Sequence, residues 1–585
     1  METRRVAMIA VFAIPIVAAV AFALRPRRSP TTPDLPRLAD GRVEGCLACH
    51  GDYRGLGAPH AIEKVGCSGC HMGDPRATEA NDAHEGIELL SGDLSTVFGT
   101  CGRGECHVTQ AARVIRSVMA RAPGIVSVDR FAFGVSDSPD GRPTGFVDLD
   151  PAGPPRSHAE SHVRKLCGSC HLAARKDHPG DDGFFARGGG CAACHLGPPD
   201  SLGSQGTGPL HRDVSAVVPL ERCEGCHARS GRIALSYRGI VELEPTDPRV
   251  TSRLPDGRPA GKAPPDVHAT AGLTCVDCHV ERELMGDGED HRHAHEALEI
   301  RCADCHAADR GSACPEGSAD CAPGTVRPAS RPDPDEDAAR AANVLRASWK
   351  RRGMPALPDG PPLRTSRGTE LWRTSAKDRS MALATDGKRV AIQQAEDRAY
   401  HRLAGHERLS CQACHSQWTP RCTECHTRLD PQGEDVDHLS GVATKGRWIE
   451  RAGGNGFGPP LLAVGPRGTI DPFTFGMTLT IEGAGPVIDR ALWAPLEPHT
   501  TGPSRTCASC HNPASIDDVY PSKGTTTRGA ARLFDDRERA AITRVGRCIG
   551  CHPTYEDRIY EGFATSVRRL RERTAGSCRG DPNEK

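Results

Sequence analysis

Aromatic and other bulky core residues are scarce in this chain of 585 residues. Only 4% of the residues are aromatic and 37% are hydrophobic, whereas glycine (64) and proline (47) are abundant. Glycine and proline interrupt regular structure, so large sheets and long helices are not expected. Side chains of this composition do not offset the entropy lost on ordering, which implies that something else fills the interior.

An excess of charge of one sign is also missing. Lys and Arg together number 74, and Asp and Glu number 75. Duplex binding needs a basic excess, so no nucleic-acid partner is expected. The length is too great for one conventional core and predicts several substructures.

Only one long apolar run is present, and it lies at the N-terminus. Val6–Leu24 carries no charge and is flanked by Arg4 and Arg5 on one side and by Arg25 on the other. Its nineteen residues are at the lower limit for a bilayer span and above a usual signal core. We expect residues 1–28 to be a signal peptide or an N-terminal membrane anchor, and the chain to be exported to the periplasm or the outer face of the membrane.

Cysteine is abundant instead, with 27 residues, and 24 of them belong to a motif that ends in histidine. Eleven copies read Cys-x-x-Cys-His, and the third has four residues between its cysteines. Numbered along the chain, the motifs are Cys46/Cys49/His50 (1), Cys67/Cys70/His71 (2), Cys101/Cys106/His107 (3), Cys167/Cys170/His171 (4), Cys191/Cys194/His195 (5), Cys223/Cys226/His227 (6), Cys275/Cys278/His279 (7), Cys302/Cys305/His306 (8), Cys411/Cys414/His415 (9), Cys422/Cys425/His426 (10), Cys507/Cys510/His511 (11) and Cys548/Cys551/His552 (12).

Three kinds of site compete for this motif. Zinc ribbons pair two Cys-x-x-Cys knuckles without needing a histidine after each, and disulfides have no use for that histidine either. Cys-x-x-Cys-His is the attachment signature of c-type haem. One helical turn puts positions i, i+3 and i+4 on the same face, so both sulfurs reach the porphyrin edge while the histidine reaches the iron. Twelve occurrences favour twelve covalently attached haem c groups.

The third motif needs two additional residues to loop out. Arg103 and Glu105 are then expected to face solvent. With these motifs, the sequence from about Gly45 to His552 resembles the multihaem c-type cytochromes of the bacterial cell envelope, in particular the long ones of metal-reducing bacteria. The resemblance implies haem binding and electron transfer, and it implies no particular substrate.

Histidines outside the motifs are numerous enough to supply a second ligand to each iron. Twelve of these fourteen lie within 13 residues upstream of a motif, which favours bis-histidine ligation over scattered surface histidines. The sequence leaves open which histidine reaches which haem. The predicted distal ligands are His60, His84, His162, His178, His211, His268, His295, His406, His438 and His499, with His158, His291, His293 and His401 in the same upstream set.

The predicted fold is mostly irregular, with short α-helices packed around haems and a small β-containing insertion near 465–490. The predicted segments are 41–110 with haems 1–3, 111–230 with haems 4–6, 231–306 with haems 7–8, a haem-free linker region at 307–410, 411–426 with haems 9–10, a haem-free β-rich insertion at 427–506, and 507–585 with haems 11–12 and a tail. Cys314 and Cys321 suit a local disulfide, two free thiols being the alternative, and Cys578 has no assigned role.

Electron transfer along twelve haems in the cell envelope is the leading functional hypothesis. The expected partners are other redox proteins of the envelope: a quinol-linked donor, and a terminal acceptor or outer-membrane conduit. The first alternative is a reductase that acts on a small nitrogen, sulfur or metal substrate at one open haem, for which we identify no catalytic residue. The second is a subunit of a haem filament.

Overall fold

The structure is a computed structural model that describes most of the chain beyond its N-terminus. It covers residues 34–51, 53–141, 144–175, 183–185, 187–197, 211–229, 231–306, 336–395, 401, 405–549 and 551–552. The predicted signal peptide or anchor, His178, Cys314, Cys321 and Cys578 lie outside these residues. Within them, no helix is both long enough and apolar enough to cross a membrane.

Most of the helices are shorter than three turns, as expected where glycine and proline recur every few residues. The longest described helix is Glu336–Arg351. The others are Cys46–His50, Ile62–Val65, Ser68–His71, Ala80–Ala83, Val108–Arg116, Val118–Arg121, Pro123–Ala132, His158–His162, Cys191–His195, Glu221–His227, Ile233–Tyr237, Val267–Thr270, Cys275–Cys278, Glu281–Leu284, Ala294–Ala297, Cys302–His306, Cys411–His415, Cys507–His511, Asp536–Arg544 and Gly546–Ile549. Four 3₁₀ turns (Ala58–His60, Phe146–Asp148, Gly168–Cys170, Gly183–Phe185) and one π turn (Val163–Cys167) complete the set.

Strands are concentrated between residues 419 and 526. A mixed five-stranded sheet has the order Val442–Gly453, Glu424–Asp437, Met477–Glu482, Ile488–Trp493, Thr525–Thr526. Two-stranded pairs form from Thr419–Arg421 with Gly456–Gly458, and from Leu461–Val464 with Ile470–Phe473. The strands predicted near 465–490 are therefore present, and the sheet extends well beyond that interval. Its second strand begins inside motif 10, in the segment 411–426 that the sequence assigns to haems.

Three small sheets lie outside that region. Ile240–Glu242, Pro259–Lys262 and Ser252–Arg253 form one of them. Leu363–Arg364 pairs with Glu370–Leu371, and the strands Thr374–Ser375, Ser380–Ala382 and Arg389–Ala391 form a third sheet. The segment predicted as a haem-free linker, 307–410, thus contains ordered structure at 336–395.

The buried hydrophobic side chains form several small clusters. The cluster at the five-stranded sheet contains Phe131, Trp448, Ile481 and the motif cysteine Cys425. A second cluster joins Leu94 and Val114 to the segments around motifs 4 and 5. Small satellite clusters contribute limited stability each. The space between them is the cavity along which most of the motifs lie.

Candidate functional site

Nine of the twelve motifs lie wholly or partly within a short helix, as the helical-turn argument predicts. In motifs 2, 7 and 12, the histidine N–H donates to the carbonyl of the first cysteine, at 2.8, 2.8 and 3.0 Å. Side-chain caps start several of these helices, for example Ser410 Oγ before motif 9 and Thr506 Oγ before motif 11. The two cysteines and the histidine of such a turn share one face.

The longer motif 3 closes on itself in an equivalent way. The N–H of His107 donates to the carbonyl of Cys101 at 3.1 Å, although two more residues separate them than in the other motifs. Arg103 and Glu105 are exposed, as expected. His107 then leads directly into the helix Val108–Arg116. The extra residues therefore loop outward without displacing the histidine.

Motif 4 has an irregular backbone, and motif 10 is not helical. Motif 4 spans the junction of the π turn Val163–Cys167 and the 3₁₀ turn Gly168–Cys170. In motif 10, Cys425 and His426 belong to the strand Glu424–Asp437. Consecutive strand residues point to opposite faces. The expectation of one shared helical face is therefore wrong for motif 10, because strand pairing sets its backbone conformation.

Seven motif histidines face a histidine from outside the motifs. Their ring centroids are 5.8–6.4 Å apart, in the pairs His50/His84, His107/His60, His71/His211, His306/His268, His279/His499, His415/His401 and His511/His406. A histidine–metal bond is about 2.0 Å and a ring nitrogen lies about 1 Å from the ring centroid, so imidazoles on opposite sides of one metal have centroids about 6 Å apart. The pairs fit a single iron between the two rings.

Hydrogen bonds hold eight of these fourteen rings through Nδ1, whereas the Nδ1 of His60 is buried without a hydrogen-bond partner. The Nδ1–H groups of His71, His211, His306, His499, His415 and His511 donate to backbone carbonyl oxygens at 2.6–3.1 Å. His268 and His279 donate to the carboxylates of Asp266 and Glu283. A carbonyl oxygen only accepts, so Nδ1 carries the hydrogen and the lone pair is on Nε2. Metal-binding histidines are characteristically held in this way.

Burial favours the neutral, ligating form of several of these histidines, whereas the hydrogen bond to Glu283 raises the pKa of His279 against the effect of its burial. Burial, and then the nearby His511, lower the pKa of His406 to about 4. Burial also lowers the pKa of His60, of His107 and of His499 below the ordinary value of histidine. A neutral imidazole is the form that binds iron, because protonation blocks the second nitrogen.

The paired histidines are mostly remote from their partners in sequence. Only His401 faces the motif immediately downstream of it, whereas His60 faces motif 3, His268 faces motif 8 and His406 faces motif 11. Six of the twelve upstream histidines face a motif histidine, as does His84 outside that window, so position upstream of a motif does not identify the partner. The carboxylates of Asp266 and Glu283 were missed, since no spacing rule distinguishes them from ordinary acidic residues.

The other predicted ligands occupy different positions. The Nδ1–H of His162 donates to the carboxylate of Asp129 at 2.9 Å, and its Nε2 is buried without a hydrogen-bond partner. His438 lies against motif 4, where its Cβ is next to Gly168. His295 stacks on His293 at 5.7 Å. His291, His293 and His426 make ion pairs through Nε2, with Asp287, Asp140 and Glu482 respectively. His158 lies at the edge of Trp448.

Three further motif histidines, His171, His195 and His227, do not face a second imidazole from the part of the chain that the structure describes. The Nδ1–H of His195 donates to the carbonyl of Ser215 at 2.9 Å, as in the paired rings. His171 packs on Phe146 with a centroid distance of 4.2 Å, and its Nε2 is buried without a hydrogen-bond partner. Of these three rings, His195 is held through Nδ1 in the same way as the paired rings.

One continuous cavity of about 5170 Å³ connects the motifs. Pockets for ordinary small ligands measure roughly 300–1,000 Å³, so this volume suits several large groups. All three residues of motifs 1, 2, 3, 5, 6, 7, 8, 9 and 11 line it, as does Cys170 of motif 4. Sixteen arginines and no lysine lie among its described lining residues. Arginine binds carboxylates through two parallel hydrogen bonds, which fits the propionate groups of haem.

Motif 12 forms a turn at the protein surface. The N–H of Cys551 donates to the carbonyl of Cys548 at 3.1 Å, yet both cysteines are exposed and neither lines the cavity. Cys49, Cys106 and Cys302 are also exposed, but these three do line it. Haem attachment at Cys551 stays a prediction.

The thiols themselves show no sign of a disulfide framework. None of the 24 cysteines within the described residues forms a disulfide. Comparison with protein-family models, with curated proteins and with solved structures finds no match to this chain. The site is therefore described by its own geometry. It combines the motif turns, the opposed imidazoles and one large cavity that has sixteen arginines among its lining residues.

Proposed function

We propose that this protein is a multihaem c-type cytochrome that transfers electrons within the cell envelope. The observation that carries the proposal is the set of seven opposed imidazole pairs, each joining one motif histidine to one histidine from elsewhere in the chain. Haem iron, when bound, exchanges single electrons between its ferric and ferrous states. The motif cysteines would anchor the haems covalently, and the seven histidine pairs would bind seven of the irons.

Zinc and disulfides account poorly for the same arrangement. A structural zinc ion takes four ligands in a tetrahedron. The paired imidazoles instead come in twos on opposite sides of a gap, next to a cavity far larger than a metal ion needs. An iron that is bound by two histidines in addition to its porphyrin has no open coordination position. These sites therefore suit electron transfer rather than substrate binding. Redox proteins of the envelope, a quinol-linked donor and a terminal acceptor or outer-membrane conduit, are the partners that such a carrier would serve.

Spectroscopy of the purified oxidised chain tests the proposal. The chain is produced in a bacterium with a c-type haem maturation system, and covalent haem is quantified per polypeptide. We expect up to twelve haems, with low-temperature EPR dominated by low-spin signals that added cyanide or nitrite leaves unchanged. A chain without covalent haem would refute the proposal. A high-spin fraction of about one haem that shifts with cyanide or nitrite would instead support the reductase alternative.

A further inference from the structure

Motif 10 has the residue spacing of the other motifs but a different arrangement in space. Resting on the proposed function, we infer that motif 10 carries no haem: Cys422 and Cys425 remain thiols, so at most eleven of the twelve motifs are haem sites. The buried cysteine of the motif is a core residue of the five-stranded sheet instead.

Motif 10 lies in the interior of that sheet. The strand Glu424–Asp437 begins within the motif and pairs with Val442–Gly453 on one side and with Met477–Glu482 on the other. Cys425 and His426 belong to both sets of strand pairs. Hydrogen bonds from two neighbouring strands therefore hold these two residues in the extended conformation. A helical turn cannot form here without breaking both pairings.

The two residues point to opposite faces of the sheet, since side chains alternate along a strand. Cys425 is 6% exposed and packs with Trp448 and Ile481, and Thr427, on the same face, is fully buried. The side chain of His426 is 48% exposed on the other face. In c-type haem attachment, the second cysteine and the histidine act on the same porphyrin. A porphyrin bonded to Cys425 would therefore lie on the face opposite to His426.

The two atoms that would hold a haem already have carboxylate partners. The thiol of Cys425 donates a hydrogen bond to the carboxylate of Glu450 at 3.1 Å. A thioether sulfur has no hydrogen to donate, so this bond requires a free thiol. The Nε2 of His426 forms an ion pair with the carboxylate of Glu482 at 3.2 Å. A nitrogen in such a pair carries a hydrogen and has no lone pair for a metal.

The surroundings of Cys425 are filled by other side chains. Among the described residues that line the large cavity, none belongs to motif 10. The cluster around Cys425 instead contains Phe131, Trp448, Leu479 and Ile481. Protein interiors are closely packed, so a haem inserted here would displace these side chains. Its insertion would also separate the strands and leave their backbone groups without partners.

Motif 9 has the arrangement that motif 10 lacks, although the two are neighbours in the sequence. Cys411–His415 is a helical turn that follows the Ser410 cap. The Nδ1–H of His415 donates to the carbonyl of Gly502 at 3.1 Å, and its ring faces that of His401 with centroids 6.4 Å apart. All three residues of motif 9 line the cavity. One short stretch of chain therefore contains a motif that fits haem and a motif that does not.

The chain is already extended where motif 10 begins. Thr419–Arg421 pairs with Gly456–Gly458, and the N–H of Thr423 donates to the carbonyl of Gly453 at 3.1 Å. Threonine is β-branched, which favours strands over helices. Pairing with these distant segments continues directly into the strand Glu424–Asp437.

Peptide mapping of the unmodified, haem-loaded chain tests the inference without any substitution. Trypsin cleaves after arginine, so cuts after Arg408, Arg421 and Arg428 place motif 9 and motif 10 on separate peptides. We expect the motif 9 peptide to carry the mass of a haem and the motif 10 peptide to carry none. After denaturation and reduction, a thiol-alkylating reagent should label Cys422 and Cys425 and leave the cysteines of motif 9 unlabelled.

Two matched double variants give a second readout, the ratio of covalent haem to polypeptide. Cys422→Ala with Cys425→Ala should keep the ratio of the parent chain, and Cys411→Ala with Cys414→Ala should lose one haem. A haem on either cysteine of the motif 10 peptide overturns the inference and leaves the proposed function intact. If no motif peptide carries a haem, the proposed function fails, and the inference that rests on it fails as well.

Discussion

His279 and His499 face each other with ring centroids 6.1 Å apart and planes at 30°. The Nδ1–H of His499 donates to the carbonyl of Glu497 at 2.8 Å, and that of His279 to the carboxylate of Glu283 at 2.5 Å. His499 adopts a φ of +53°, in the left-handed region that costs most residues energy. Backbone strain of this kind occurs where a side chain must be held in one position, as in a ligand.

Replacing the distal histidine of motif 11 tests the assignment of pairs. His406→Ala removes the imidazole that faces His511 at 5.8 Å. We expect one haem to change from low to high spin by EPR, with total haem unchanged. The matched control is His291→Ala, since the Nε2 of His291 is engaged by Asp287. An unchanged spectrum for His406→Ala would show that another residue binds that iron.

The carboxylate of Glu283 is expected to lower the potential of the haem at motif 7. It accepts the hydrogen bond from His279 and thereby favours the more positively charged ferric state. Glu283→Gln removes this charge and destabilises the ferric state relative to the ferrous state by about 1 kcal/mol. The reduction potential of the haem at motif 7 should therefore rise by about 40 mV. Spectroelectrochemical titration measures the shift. Glu281→Gln, two residues away in the same helix and more exposed, serves as the control. A shift equal to that of Glu283→Gln would indicate a general charge effect.

Acid is expected to destabilise the fold through Asp266. Its carboxylate accepts from the N–H and the Nδ1–H of His268 at 2.9 and 2.8 Å and from the N–H of Thr501 at 2.6 Å. Burial raises the pKa of Asp266, but these hydrogen bonds outweigh it and hold the pKa below the ordinary 3.8. The stabilisation is thus present above about pH 4 and is lost as the pH falls through the folded-state pKa.

Asp266→Asn separates this contribution from the rest of the acid transition. We expect it to lower the free energy of unfolding by about 2 kcal/mol at neutral pH, because a charged acceptor is lost. The difference between variant and parent should shrink as the pH falls through the folded-state pKa of Asp266. Denaturant titrations at several pH values measure both. A pH-independent difference would mean that the charge of Asp266 is not involved.

Trp448 anchors the five-stranded sheet to the helices around motif 4. It is 3% exposed, packs on Phe133 and His162, and its Nε1–H donates to Ser161 Oγ at 3.2 Å. Trp448→Ala should lower the free energy of unfolding of this region by about 3–5 kcal/mol. Protease resistance and urea titration report the change. Val442→Ala on the same sheet, where the side chain is 58% exposed, should change stability by less than about 0.5 kcal/mol.

Haem removal is expected to unfold most of the chain. The cavity of about 5170 Å³ separates small clusters that bury few side chains each. An interior that is not filled forfeits both hydrophobic and dispersion stabilisation. The same chain produced without haem maturation should be largely unfolded by circular dichroism and rapidly degraded by protease. A compact, protease-resistant haem-free protein would show that the chain alone forms the core.

Local sequence predicted much of the local structure. Nine motifs adopt the helical turn that the spacing of Cys46, Cys49 and His50 requires, and the strands expected near 465–490 are present. Motif 10 departs from the prediction because Cys425 and His426 pair with Ala452 and Arg451 in the hairpin. Strand pairing joins residues that are distant in sequence, so it overrides the preference of a five-residue motif.

The sequence alone determined the repeated motif, its attachment chemistry and the supply of additional histidines, because residues three and four apart on a helical turn meet whatever the rest of the chain does. Only the tertiary structure decided that His211 faces His71, that His499 faces His279 and that Cys551 is exposed. Such contacts depend on the path of long loops between short helices, and that path is set by many weak packing interactions that no local pattern encodes.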